Sequence, residues 1–171
     1  MQNLSKLDKR LAIAITIWLL CVILMLGYFQ LSGLQEFDPK RKLQRSGWLI
    51  EFKNLTESDD LSKATLALFV DPQCGCTKRS KTHIQQLKNL ASSDLDVVVH
   101  SYNSTIKDVI PNTPAAVLID AYGALVYAGP LSEGLACSAS DSFVELVISN
   151  LLAGFNSELV ISDAKGCYCI S

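Results

Sequence analysis

Two short cysteine pairs carry most of the chemistry open to this chain. Cys74 and Cys76 flank Gly75, and Cys167 and Cys169 flank Tyr168. A thiolate is the nucleophile of thiol–disulfide exchange and also a soft ligand for Cu(I) or Zn(II), so the pairs point to redox exchange or metal binding. Cys21 and Cys137 stand apart from them. Six cysteines in 171 residues exceed what a reduced cytosolic domain of this size usually carries, which favours an oxidising compartment. A disulfide closed inside Cys74-Gly75-Cys76 would lie far from preferred disulfide geometry and would be easily reduced. That favours an oxidant, an isomerase or a thiol that pairs elsewhere over a reductant. It also leaves open that no bond forms within the pair.

The elements around the first pair place it at a strand-to-helix turn. Residues 64–70 (ATLALFV) are a continuous apolar run, as expected of a strand buried on both faces. The run leads through Asp71-Pro72-Gln73 into Cys74. A helical pattern follows, with Ile84, Leu87 and Leu90 on one face. Free N–H groups and the positive helix end favour thiolate over thiol there, and Lys78, Arg79 and Lys81 add positive charge. Asp71 and Lys78 are candidates for tuning the thiolates. His83 reads as a surface residue two turns beyond Cys76, too far away to share a small metal with it. His100 ends a second buried strand, 95–102, and reads as a strand-end residue with a base or ligand as the alternative.

Thr113-Pro114 opens a third apolar strand, 115–120. Residues 121–124 read as a turn, 125–128 as the returning strand, and Gly129-Pro130 as its end. Ser140 or Asp141 is the expected cap of a last helix carrying Phe143, Val144, Leu146 and Val147, stopped by Gly154. Residues 48–52 alternate enough for a short edge strand. This order predicts an α/β fold, a central mixed sheet flanked by helices.

At ALFVDPQCGC, Thr113-Pro114 and LIDAYGALVYAGPLSEG the sequence resembles the thioredoxin superfamily. More narrowly, it is similar to membrane-anchored, thioredoxin-like bacterial proteins of uncharacterised function. Those combine D-P-x-C-x-C, a T-P-A hairpin, G-P-x-S-x-G-x-x-C and a C-terminal G-C-x-C. The resemblance implies a thioredoxin-like fold with a cis-proline at Pro114 beside the active cysteines. It departs from thioredoxins in separating the cysteines by one residue rather than two. The expected catalytic set is Cys74 as exposed nucleophile, Cys76 as resolving thiol and Pro114. The hairpin returns residues 129–137 to the motif's side of the sheet, and the tail, at about 3.3 Å per extended residue, is long enough to reach back. Cys137, Cys167 and Cys169 are therefore candidates for a relay or a structural disulfide.

Residues 11–29 carry no charge and are long enough to cross the hydrocarbon layer as a helix. The run ends without the small-residue cleavage pattern of a secretory signal, so it reads as an uncleaved anchor in which Cys21 faces lipid. The expected organisation is a cytoplasmic segment 1–10, a membrane anchor 11–29, a juxtamembrane linker 30–46, a thioredoxin-like domain 47–154 and a cysteine-bearing tail 155–171. Basic residues on the two sides nearly balance, and the cysteine content breaks the tie towards a periplasmic domain on a bacterial inner membrane. A net charge of −2 gives no reason to expect nucleic acid as a partner. The expected function is a membrane-tethered thiol–disulfide oxidoreductase or isomerase, without a cofactor, acting on protein thiols or disulfides and on a membrane redox partner. Two alternatives stay open. One is a Cu(I) or Zn carrier ligating through Cys74, Cys76, Cys167 and Cys169, and the other is a redox-inert module that binds a partner.

Overall fold

In the computed structural model, residues 2–56, 62–134 and 142–170 are described, and the chain divides into two units, 1–34 and 35–171. The first unit is one helix, α1 (Gln2–Ser32). Its segment Asp8–Phe29 has a mean hydropathy of 2.5 and none of it is buried. Leu11, Trp18, Leu24 and Phe29 all stand exposed around it. A helix apolar on every side has no polar face to turn to water, and this one is long and apolar enough to cross a membrane. Cys21 is exposed on it as a free thiol.

The second unit opens with β1 (Gln35–Glu36), a single turn of 3₁₀-helix at Lys42–Gln44, and α2 (Trp48–Thr56). Two expectations are corrected here. Residues 35–46 are not a free linker: Phe37 and Asp38 are fully buried. The Asp38 carboxylate accepts the N–H groups of Lys42 and Leu43 at 2.9 and 2.8 Å, which caps the turn. Residues 48–52 are helical rather than an edge strand. Trp48 and Phe52 lie four apart and stack at 5.4 Å on one buried face, and the Trp48 indole N–H donates to the Val109 carbonyl at 2.8 Å. In so short a window, i to i+4 spacing and alternation are hard to tell apart.

The sheet follows the expected order. β2 (Ala64–Val70) leads to α3 (Gly75–Arg79) and α4 (Lys81–Lys88), which cross over to β3 (Leu95–Ser101). Next come β4 (Asn112–Thr113), β5 (Ala115–Ile119), β6 (Leu125–Pro130) and α5 (Val144–Leu152). The chain ends in β7 (Leu159–Val160), β8 (Lys165–Gly166) and β9 (Cys169–Ile170). The main sheet has the order β3-β2-β5-β6-β7. β2 is parallel to β3 and antiparallel to β5, β5 is antiparallel to β6, and β6 is parallel to β7. The β5–β6 turn is held by the Asp120 carboxylate, which accepts the N–H groups of Tyr122 and Ala124, while Gly123 takes φ +80°.

Because side chains alternate along a strand, β2 and β5 build both halves of the core. Ala67, Phe69, Val117 and Ile119 face Phe37, Trp48 and Phe52. Leu66, Leu68, Ala116 and Leu118 face Leu87 of α4 and Val144, Val147 and Ile148 of α5. Full burial of each large apolar side chain contributes about 1.5–3 kcal/mol. This α/β architecture, a mixed five-stranded sheet flanked by helices, is the one the sequence predicts.

Residues 155–171 are woven into the unit. Beyond β7, the backbone of Phe37 and Asp38 bonds to the carbonyls of Ala164 and Ser162. β8 pairs with β1 and β9 with β4, both antiparallel. Tyr168 packs edge-on against Phe37 at 5.1 Å, and its hydroxyl donates to the Ser132 carbonyl. The expected caps Ser140 and Asp141 lie outside the described residues. Ser142 accepts the Val144 N–H at 3.1 Å, and Gly154, at φ +86°, follows the helix end.

Candidate functional site

The end of β2 turns through Asp71, whose side chain accepts the Gln73 N–H at 2.8 Å and whose carbonyl accepts the Cys74 N–H at 3.0 Å. Asp71 thus shapes the turn that delivers Cys74. Cys74 occupies the N-cap of α3 in an extended conformation, and Cys76 lies one residue inside the helix. The tail arrives from the other side. β9 runs along β4 with Thr113 opposite Cys169, and the Thr113–Pro114 peptide bond next to it is cis. The Pro114 carbonyl accepts the Leu131 N–H at 3.1 Å, tying this corner to the end of β6.

Cys74 is bonded to Cys169 and Cys76 to Cys167, and in each pair the Cα atoms are 6.0 Å apart, within the ordinary disulfide span. Neither Cys-x-Cys motif closes on itself. The two motifs lie side by side, and each sulfur meets one across the gap. Three of the sulfurs, those of Cys74, Cys76 and Cys169, lie within 4.8 Å of one another. The expectation that Cys74 is the exposed thiol is corrected: Cys74 and Cys76 are both buried, while Cys167 and Cys169 are partly exposed. The tail lies over the motif, and its two cysteines are the more exposed residues of the four. The Arg79 guanidinium approaches the Cys167 sulfur at 3.9 Å, and Lys78 is exposed on the same helix. Cys137 lies outside the described residues. The cluster's chemistry fits a redox or a metal-binding role.

Gly166 explains the glycine of the tail motif. A Cβ there would come within 2.8 Å of the Tyr168 ring, so only glycine lets the ring close over the chain. His100 stacks on Phe69 at 5.2 Å, and burial pushes its pKa below the usual histidine range.

His83 is a second correction. It is 2 % exposed, not a surface residue, and its Nε2 meets the Glu145 carboxylate of α5 at 2.5 Å. The signal was present in the spacing. Cys76, Ser80, His83 and Leu87 fall on one stripe at four, three and four residues, which is the buried face of α3 and α4. Burial alone would raise the Glu145 pKa, but the hydrogen bonds from His83 and Ser142 outweigh it, and the carboxyl lies below its usual range.

Residues 47–171 match the model of a domain of unknown function, DUF6436, and the chain belongs to that family. Among solved structures, the crystal structure of a hypothetical protein from Sinorhizobium meliloti 1021 is similar at a TM-score of 0.52 and 18% identity, over 68% of this chain and 82% of that one. This likeness speaks for the fold alone. No curated protein matches.

Proposed function

We propose that this DUF6436 member is a membrane-tethered thiol–disulfide oxidoreductase of thioredoxin-like type, its domain facing the periplasm of a bacterial cell. The observation that carries the reading is the pairing of both motif cysteines with both tail cysteines. The two bonds, with both tail cysteines partly exposed, form a store of oxidising equivalents for a partner dithiol. A partner thiolate attacks the Cys167 sulfur and the Cys76–Cys167 bond breaks. Its electron pair leaves on Cys76, giving a mixed disulfide between the partner and Cys167. The partner's second thiolate attacks its own mixed-disulfide sulfur and releases Cys167 as a thiolate, which Arg79 stabilises. The partner leaves oxidised by two electrons. Cys169 and Cys74 repeat the sequence.

The sulfur cluster of Cys74, Cys76 and Cys169 favours a second reading, in which the reduced form holds Cu(I) or Zn(II), with Cys167 as a fourth soft donor. One experiment separates the two. The full chain in detergent is oxidised and then mixed with a reduced dithiol peptide, while a fully reduced sample is assayed for bound metal. Stoichiometric oxidation of the peptide, with metal that mild chelation removes, supports the oxidoreductase. An unreactive oxidised form, with one chelator-resistant ion per reduced chain, replaces it with the metal carrier.

A further inference from the structure

The two helices that follow the first cysteine motif are basic. From Gly75 to Lys88 they hold Lys78, Arg79, Lys81 and Lys88 and no carboxylate, in a chain whose net charge is −2. All four cations are exposed. Elsewhere on the domain, Arg45 pairs with Glu51 and Lys63 with Asp96, but among the described residues none of these four pairs with a carboxylate. Three of them lie beside the cysteine centre. The Lys78 N–H donates to the Cys74 carbonyl at 3.2 Å, which sets Lys78 one helical turn beyond that cysteine. The Arg79 guanidinium lies 3.9 Å from the Cys167 sulfur, and Lys81 opens α4 two residues later. The carboxylates around the centre lie off these helices. Asp71 accepts the Gln73 N–H, and Glu36 stands opposite Lys165 in the β1–β8 pair. Glu133 precedes Gly134, whose carbonyl accepts the Cys167 N–H. The basic side of the centre is therefore its helical side.

We infer that the basic edge formed by Lys78, Arg79 and Lys81 selects the partner, and that the partner presents its dithiol on an acidic polypeptide segment. The inference rests on the oxidoreductase reading and names its substrate class. Unpaired cations beside a reactive sulfur favour an approaching anionic segment and raise its rate of encounter. Arg79 stands at the Cys167 sulfur, and the two lysines extend the positive charge along the helices. Carboxylates flanking the partner's cysteines meet these lysines while its thiolate meets Cys167. An anionic membrane surface would answer the same charges but brings no thiol to Cys167. The chemistry is the exchange already given: the partner dithiol is oxidised to a disulfide, and the Cys76–Cys167 bond is reduced to two thiols. Selection of this kind weakens with salt, because exposed charges are screened.

The test uses the oxidised full chain in neutral detergent and dithiol peptides of one cysteine spacing, with flanking residues all Glu, all Gln or all Lys. Initial rates of peptide oxidation are compared at pH 7. Each is divided by that peptide's rate with hydroxyethyl disulfide, which removes the effect of the flanks on the thiols themselves. At low salt the Glu peptide should be oxidised on the order of tenfold faster than the Lys peptide, the low end of what electrostatic steering contributes. The ratio should approach one in about 1 M sodium chloride, where the screening length falls to about 3 Å. Lys78→Gln/Lys81→Gln should lower the low-salt ratio several-fold, and Lys78→Glu/Lys81→Glu should invert it, with Arg79 untouched in both. A ratio near one in the parent, or one unchanged in both variants, overturns the inference and leaves the oxidoreductase standing. Lower rates for all the peptides once phosphatidylglycerol is added to the micelles would then assign the edge to a membrane surface instead. A parent chain that oxidises none of the peptides overturns both.

Discussion

Exposure decides which sulfur a partner meets first. Cys76 is buried and Cys167 is a partly exposed residue with Arg79 at 3.9 Å, so the proposed mechanism takes Cys167 as the sulfur attacked and Cys76 as the one that leaves. Cys76→Ser should therefore leave a reactive Cys167 thiol with no resolving neighbour. Mixed disulfides should accumulate on Cys167 and should vanish in Cys76→Ser/Cys167→Ser. A non-reducing gel and peptide mapping read this directly, and trapping on Cys74 instead would reverse the assignment. The Glu145 carboxyl makes a second prediction. Hydrogen bonds from His83 and Ser142 hold its pKa below the usual carboxylate range despite burial, so the ionised group stabilises the fold at neutral pH, and the contribution is lost as pH falls through the depressed value. Chemical denaturation should show Glu145→Gln less stable than the parent at neutral pH, with the difference shrinking as the pH falls into and below the usual carboxylate range. A difference that is flat across that range would contradict the His83–Glu145 contact.

Among the elements, the tail decides whether the two motifs meet at all. It is held by β8 on β1, by β9 on β4 and by Tyr168 folded over Gly166. Gly166→Ala puts a methyl group within 2.8 Å of that ring, and overpacking of this kind costs about 1–3 kcal/mol. The variant should unfold at lower denaturant, and Cys167 in its reduced form should alkylate faster than in the parent. Unchanged stability and alkylation would show the tail to be loosely placed. The sheet elements were legible because residues 64–70, 95–101 and 115–119 are apolar runs punctuated by Pro, Gly and Asp, whose local physics needs no partner to be read. Tail placement was not, because β7, β8 and β9 are two-residue strands fixed only by distant neighbours. The His83 contact was hidden for a related reason. A polar residue on a helix stripe reads as solvated until the facing helix supplies its carboxylate. The cysteine motifs stood out in the sequence, but their cross-pairing depends on the tail's path.

On the scale of the whole molecule, a helix apolar on every side and long enough to cross a membrane precedes a domain with two disulfides, which the proposed function takes as an anchor and a domain outside the cytoplasm. Disulfides of this kind persist outside the reducing cytoplasm. A reporter that works only in the cytoplasm, fused after Ser171, should therefore be silent, and strong activity would place the domain on the other side. The central claim is that the two Cys-x-Cys motifs exchange electrons with each other and with a partner dithiol. It is tested most directly by quenching the oxidised full chain with acid, digesting it without reduction and mapping the linked peptides before and after one equivalent of a dithiol peptide. The account predicts Cys74–Cys169 and Cys76–Cys167 links beforehand. Afterwards it predicts loss of one link with matching oxidation of the peptide, and recovery of the link on reoxidation. Links closed within Cys74-Gly75-Cys76, or links that survive the dithiol peptide unchanged, would contradict it.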